Sequence, residues 1–224
     1  STARQAYDRM IDLVELAEKY LVDKNAWVIE KPSGNISSKS MFNEIAQLRQ
    51  SVSKVIGSPI LLNLTNSKRG IDFSNRDDVA DIAKKGPVTP DHVIRTKRIP
   101  MIGRDVDQYV KEYISYFNTH EPNAKERKSM LDAAPRVILD KDFGLCAVGA
   151  NMGEIGIIAD LYEHTMKCIL RAEKLGGWQA LPPSDIFDLE YWDLEQEKLK
   201  KSGVVAEFQG EVVLITGAAS GIGR

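Results

Sequence analysis

The sequence predicts an α/β protein, a layered sandwich with helices packed on a mixed sheet. Strand-type and helix-type segments alternate through residues 40–175, which is the signature of helices laid against a sheet. Two apolar runs at 136–148 are joined by the short turn 141–144, so a purely parallel sheet is excluded. The third observation is the balance of 43% hydrophobic and 28% charged residues over 224 positions. At roughly 150 residues per domain, that material builds one to two globular cores.

The elements follow in order. Thr2 caps an amphipathic helix to Leu21, with Ala6, Met10, Leu13, Val14, Ala17 and Leu21 on one stripe. AWVIE at 26–30 is a strand candidate closed by Pro32, Ser33 and Gly34. Ser40, with Glu44, caps a helix over 41–55 whose inner face is Ile45, Leu48 and Val52. ILLNL at 60–64 is a strand. Asn75 caps a helix from 76 to 84, stopped by Gly86 and Pro87. Residues 92–95 read as a strand candidate whose extent Pro100 limits. A helix over 105–118 carries Val106, Tyr109, Val110, Tyr113 and Phe117 inward, and 121–128 is polar, a loop or frayed helix. PRVILD at 135–140 and residues 145–148 are strands. A long helix over 153–175 ends at Gly176 and Gly177. Ser184 and Asp185 start a short turn, and 190–201 is a polar helix, an arm packed through Trp192 and Leu199. The segments AYDRMIDLVELAEKYL at 6–21 and LYEHTMKCILRAEKLG at 161–176 echo each other, Tyr7 matching Tyr162 and Glu18 matching Glu173.

Composition narrows the function. The net charge of −2, from 30 basic and 32 acidic residues, excludes a strongly basic nucleic-acid binder. No apolar run reaches the roughly 18–20 residues of a membrane span. Cys146 and Cys168 form no disulfide framework and lie in apolar settings as core residues. With no signal pattern at the N-terminus, a cytoplasmic protein is expected. His92, His120 and His164 are too dispersed for a zinc site, so no metal-ligand set is assigned. Tyr162, Glu163 and His164 read as half-exposed helix surface.

Two segments carry chemistry. EVVLIT at 211–216 reads as a buried strand running into TGAASGIG at 216–223. Gly217 permits a sharp turn, Gly221 removes a side chain where backbone would approach a pyrophosphate, and Gly223 brings a following helix close to its sheet. Gly217, Ser220, Gly221, Ile222 and Gly223 are therefore dinucleotide-binding candidates. The helix that such a turn opens is missing, so an internal piece of a longer protein is expected. The second segment is TPDHVIRTKRIP at 89–100, where His92, Arg95, Lys97 and Arg98 fall within seven residues. In an extended chain, Arg95 and Lys97 share one face and His92 lies on the other. Arg95 and Lys97 suit a phosphate or carboxylate, and His92, Arg95 and Lys97 are the substrate candidates. His92 alone reads as a structural histidine.

The TGxxxGIG turn resembles the opening of the short-chain dehydrogenase/reductase family, which binds NAD or NADP there. TPDHVIRTKRIP, FGLCAVG at 143–149, ADLYEHT at 159–165 and FDLEYWDLEQEKL at 187–199 together resemble the bifunctional class II aldolase/short-chain dehydrogenase family, of rhamnulose-1-phosphate aldolase/alcohol dehydrogenase type. The resemblance implies a class II aldolase-like α/β fold with the truncated start of a Rossmann domain. It divides the chain into the tail of a preceding aldolase domain (1–38), an aldolase-like domain (39–185), a helical linker (186–208) and the start of the dehydrogenase (209–224). It implies a parent protein that cleaves a ketose 1-phosphate, such as L-rhamnulose 1-phosphate, and oxidises the aldehyde with NAD or NADP. A divalent metal, zinc foremost, would sit in the preceding aldolase domain. The implied partners are a small sugar phosphate or aldehyde and further copies in a homo-oligomer. FGLCAVG resembles a metal-binding His-Gly-Leu turn, with Phe143 where the ligand histidine would stand. The chain itself is expected to lack the dehydrogenase's catalytic tyrosine and lysine. Two readings of its own role stay open: a catalytically incomplete structural module, and an anion-binding module using 92–97.

Overall fold

The computed structural model describes residues 2–33, 41–200 and 207–224, with only the backbone at 199 and 200. The expected cap at Ser40 and the packing role of Leu199 lie outside what is described. Helix α1 (Ala3–Asp23) starts in a capping box: Gln5 N–H donates to the Thr2 hydroxyl while the Gln5 side chain accepts from Thr2 N–H. No residue of α1 is buried, and Tyr7, Met10, Leu13, Val14 and Leu16 are at least half exposed.

The expected strand at 26–30 does not form. The N–H groups of Ala26 and Trp27 both return to the Leu21 carbonyl, which wraps the chain around the end of α1. Helix α2 (Phe42–Ile56) buries Leu48 and Val52 and ends at Gly57 in the left-handed conformation. Strand β1 (Leu61–Leu64) follows. A short helix that the sequence reading missed, α3 (Lys68–Ser74), starts where Gly70 N–H donates to the Ser67 hydroxyl. Asn75 closes α3 rather than opening the next helix, its amide donating to the carbonyls of Ile71 and Lys141. Helix α4 is accordingly short (Val79–Ala83).

Residues 92–98 are not a strand. A 3-10 turn at Pro90–His92 runs into helix α5 (Val93–Thr96). Proline at the first helical position favours this start, and the Thr96 hydroxyl donates to the His92 carbonyl. Strand β2 (Met101–Ile102), helix α6 (Val106–His120), and strands β3 (Val137–Asp140) and β4 (Gly144–Gly149) then build the centre. Helix α7 (Met152–Glu173) is capped by the Asn151 side chain. Helix α8 (Pro183–Glu190) replaces the expected turn, and the polar helix α9 starts later, at Asp193–Lys200. Trp192 is half exposed.

The sheet order is β1-β4-β3-β2, with β2 and β3 parallel and the other pairs antiparallel. Alternation sorts the side chains onto two faces. Val137, Leu139, Leu145 and Ala147 pack with Phe73, Ile82, Ile155 and Ile158 from α3, α4 and α7. Ile138, Cys146 and Val148 pack with Leu48, Val52, Val106 and Tyr109 from α2 and α6. Cys146 is fully buried, and that burial pushes its thiol up to about 12. A third cluster joins α6 to α8 through Tyr113, Tyr116, Phe117, Phe187 and Tyr191. The aromatic stripe of α6 is thus core. The layered α/β sandwich with a mixed sheet is the observed fold, and no described helix is long and apolar enough to cross a membrane.

The expected strand at 211–216 is absent; those residues are exposed and unpaired with the sheet. The last firm attachment is Gly210, whose carbonyl accepts from Arg49 Nη2 at 2.9 Å while Arg49 Nε donates to the Ile60 carbonyl. Gly210 has φ +79°, and a Cβ there would sit 2.1 Å from the Pro59 carbonyl oxygen. Gly210→Ala is expected to detach this contact and cost about 1–3 kcal/mol, read by urea unfolding. An unchanged midpoint would contradict it.

Candidate functional site

A cleft of about 290 Å³ opens beside α5 and the N-terminal end of α7. Its wall contains three cations, Arg95, Lys97 and Arg136, against two carboxylates, Asp132 and Glu154. The helical path of 90–96 sets this arrangement. It brings Arg95 and Lys97 to one cleft wall, which His92 does not line. His92 Nδ1 is buried without a partner among the described residues. Burial holds its pKa below the usual value, opposed by Asp91 and assisted by His164.

The carboxylates of the cleft are already engaged. Arg136 grips Asp132 through two hydrogen bonds of 3.0 and 2.6 Å, the fork-to-fork geometry of guanidinium and carboxylate. Glu154 accepts from Ala150 N–H at 2.8 Å. Arg95 differs from both. It is half-buried in the wall and makes no hydrogen bond or ion pair with any described residue.

Lys97 is the strained residue of the site. Its φ of 61° and ψ of 170° lie in a region essentially confined to glycine, at a cost of about 1–3 kcal/mol. The side chain is only 6% exposed. Nζ donates to the Asp132 carbonyl at 2.6 Å, lies 3.9 Å from Glu190 Oε1, and sits 4.2 Å over the Tyr113 ring. Burial pushes the ammonium down to about 8, against the opposing pull of Glu190 and Asp132. Glu190, fully buried at the end of α8, is raised by the same desolvation, opposed by Lys97 and the Tyr113 hydroxyl. Tyr113 donates to Glu190 Oε1 at 2.9 Å and shares a 2.8 Å hydrogen bond with the Tyr191 hydroxyl. Glu190 Oε2 has no partner among the described residues.

Sequence reasoning singled out Arg95 and Lys97 and missed Asp132, Arg136, Glu190 and Tyr113 as their neighbours. Tyr113 was visible only as one residue of the inward face of the helix over 105–118. Glu190 lay at the start of a segment read as a polar helical arm packed through Trp192 and Leu199, and nothing local marks it as buried.

Phe143 occupies the turn that resembles a metal-ligand turn. It is a core residue, covered by the Arg104 guanidinium at 3.9 Å from its ring centre. A phenyl ring supplies no lone pair, so this position does not fit a metal ion. Among the described residues no group of three His, Cys, Asp or Glu side chains converges as a metal site. The glycine-rich turn 217–223 lies exposed, with Gly217 and Gly221 at positive φ and one 3-10 turn at Gly221–Gly223. Without a feeding strand or aligned helix N–H groups, it does not fit a pyrophosphate in this conformation. A second hollow of about 400 Å³ touches Lys31, Arg69, Asp72, Arg76 and Glu173. It joins none of the residues marked by the sequence.

The family described as aldolase class II, second domain, matches residues 39–199. The Bacillus subtilis (strain 168) protein named "Uncharacterized oxidoreductase YuxG" is 26% identical over 246 residues. That match covers 99% of this chain and 35% of the relative, so the chain spans about a third of the relative's length. No solved structure matches the chain.

Proposed function

The chain belongs to the class II aldolase second-domain family, and from that premise we propose that it is a small-anion-binding module of a larger aldolase- and oxidoreductase-related protein. The observation that carries this reading is Arg95, a guanidinium half-buried in a cleft and unpaired among the described residues. Leaving a cation partly desolvated costs free energy that an oxyanion of a ligand would recover. At about 290 Å³, the cleft suits a three- to six-carbon phosphate and is too small for a dinucleotide.

The larger protein is proposed to cleave a ketose 1-phosphate, with L-rhamnulose 1-phosphate the favoured substrate, and to oxidise the aldehyde product with NAD or NADP. In that scheme residues 39–185 are the aldolase-like unit, 1–38 belong to the preceding unit, 186–208 are the linker and 209–224 open the dehydrogenase. Gly217, Ser220, Gly221, Ile222 and Gly223 would line its cofactor loop once strand and helix surround them. The divalent metal belongs to the preceding aldolase unit, and no step of this chain runs through it or through nicotinamide. A homo-oligomer is the proposed assembly, with the apolar stripe of α1 as a face to be covered.

Within the cleft, Arg95 binds the phosphate by charge-assisted hydrogen bonds, and Arg136, held rigid by Asp132, adds positive potential. His92 takes no part in this reading. Titration calorimetry of the chain with inorganic phosphate and with dihydroxyacetone phosphate tests it. Binding is expected for both, and Arg95→Ala should weaken it by about ten- to a hundredfold, the worth of one charged hydrogen-bonding group. Absence of binding at millimolar ligand would favour the other reading, a structural module. The internal contacts of Lys97 with Glu190 and the Asp132 carbonyl favour that alternative.

A further inference from the structure

We propose that Lys97 is an amine nucleophile, forming an imine with the carbonyl group of a small carbonyl phosphate whose phosphate rests on Arg95. This deepens the anion-binding reading of the cleft and rests on it.

Three observations converge on Lys97. It lines the same cleft wall as Arg95, two residues away in the chain. Its backbone is held in a conformation that glycine would adopt without strain, at a residue whose side chain is buried beside the cleft. Around the amine stand an apolar ring face, Tyr113, and a fully buried carboxyl, Glu190, with one oxygen unpartnered among the described residues. The arrangement desolvates the amine and offers it a nearby proton acceptor.

The chemistry balances without a redox partner. The ammonium first yields a proton to Glu190 or to water. The nitrogen lone pair attacks the carbonyl carbon and the C=O π pair moves to oxygen. Two nitrogen protons then pass to that oxygen, it leaves as water, and a C=N bond remains. A neutral amine is required at the first step, and burial enlarges its minor share by bringing the ammonium down to about 8. An exposed lysine at neutral pH is almost wholly protonated. Arg95, by seating the phosphate, orients the carbonyl toward Nζ.

Dihydroxyacetone phosphate is the probe. The full chain is incubated with it, reduced with sodium borohydride to fix the imine as a secondary amine, digested and mapped by mass spectrometry. The adduct is expected at Lys97 in large excess over the exposed lysines. It should be lost in Arg95→Ala and suppressed in the wild-type chain by excess inorganic phosphate. Because Lys97→Met is expected to destabilise the fold, Lys97→Met/Glu190→Gln serves as the folded control and should show no adduct at this position. Calorimetry separates the two ways of failing. If phosphate binds but Lys97 is not labelled above the exposed lysines, the imine is wrong and the anion site stands. If neither inorganic phosphate nor the probe binds, the anion reading itself falls, and this proposal with it.

Discussion

Lys97→Met is expected to lower the unfolding free energy by about 3–5 kcal/mol, because it removes the cation beside a buried carboxyl. Glu190 is fully buried, and its Oε1 would keep only the Tyr113 hydroxyl as a donor. Lys97→Met/Glu190→Gln should recover most of the loss, since neither charge then needs solvation. Denaturant unfolding of the two single variants and the double variant measures the coupling. A single variant within about 1 kcal/mol of wild type would overturn the assignment of this pair as mutually dependent.

The pH dependence of the wild type follows from the same residues. Lys97 has its native pKa lowered to about 8 from 10.5, so between those values the unfolded chain binds more protons. Its contribution to stability therefore rises with pH across that window, by up to about 3 kcal/mol. Glu190, raised by burial, acts in the opposite sense: the native state binds more protons above pH 4.5, and stability falls as pH rises through its native pKa. Above pH 10 the buried tyrosines, Tyr109, Tyr113 and Tyr116, keep their protons in the native state alone. Their raised pKa values turn the curve downward again. A local rise in stability between pH 8 and 10, absent in Lys97→Met, is the expected signature in urea titrations at fixed ionic strength.

Asp140→Ala is the second large effect, about 2–4 kcal/mol. The Asp140 side chain is 8% exposed and closes the turn between β3 and β4. It accepts from the N–H groups of Asp142 and Phe143 and receives two hydrogen bonds of 2.8 Å from Arg104. Alanine removes the acceptor of Arg104 Nε and of the Asp142 and Phe143 N–H groups, and leaves the guanidinium that covers Phe143 held by Asp142 alone among the described residues. Burial raises the Asp140 pKa, but Arg104 and the two backbone donors outweigh it, and the native value lies below 3.8. The stabilisation is complete above pH 3.8 and disappears as pH falls through the native pKa. The gap between wild type and Asp140→Ala in thermal melts should thus be wide at pH 7 and close in strong acid. A constant gap would show that packing, not the carboxylate, carries the effect.

Much of the fold was legible because the signals are local. The apolar periodicity read over 105–118 and 153–175 places α6 and α7. The runs at 137–140 and 144–149 are apolar on both sheet faces and join by a turn too short for a parallel crossover. The errors fall where local pattern and tertiary context compete. Residues 92–98 alternate like a strand, yet Pro90 starts a helical turn and Lys97 bends the chain out of it. Residues 211–216 have strand propensity, but no neighbouring strand supplies ladder partners, and propensity alone does not hold an isolated strand.

By itself, then, the amino-acid sequence determined the α/β class, the antiparallel β3–β4 pair, the long helices and the cations worth suspecting. Each of these depends on residues within a few positions of one another, where periodicity, caps and turns act. Only the tertiary structure decided which cations meet. Lys97 and Glu190 lie far apart in the chain, and Asp132 and Arg136 reach the cleft from the segment before β3. Charge states belong to the same level. Desolvation depends on everything packed around a group, so a lysine titrating near 8 and a carboxyl raised at the end of a polar-looking helix exist only once the chain has closed around them.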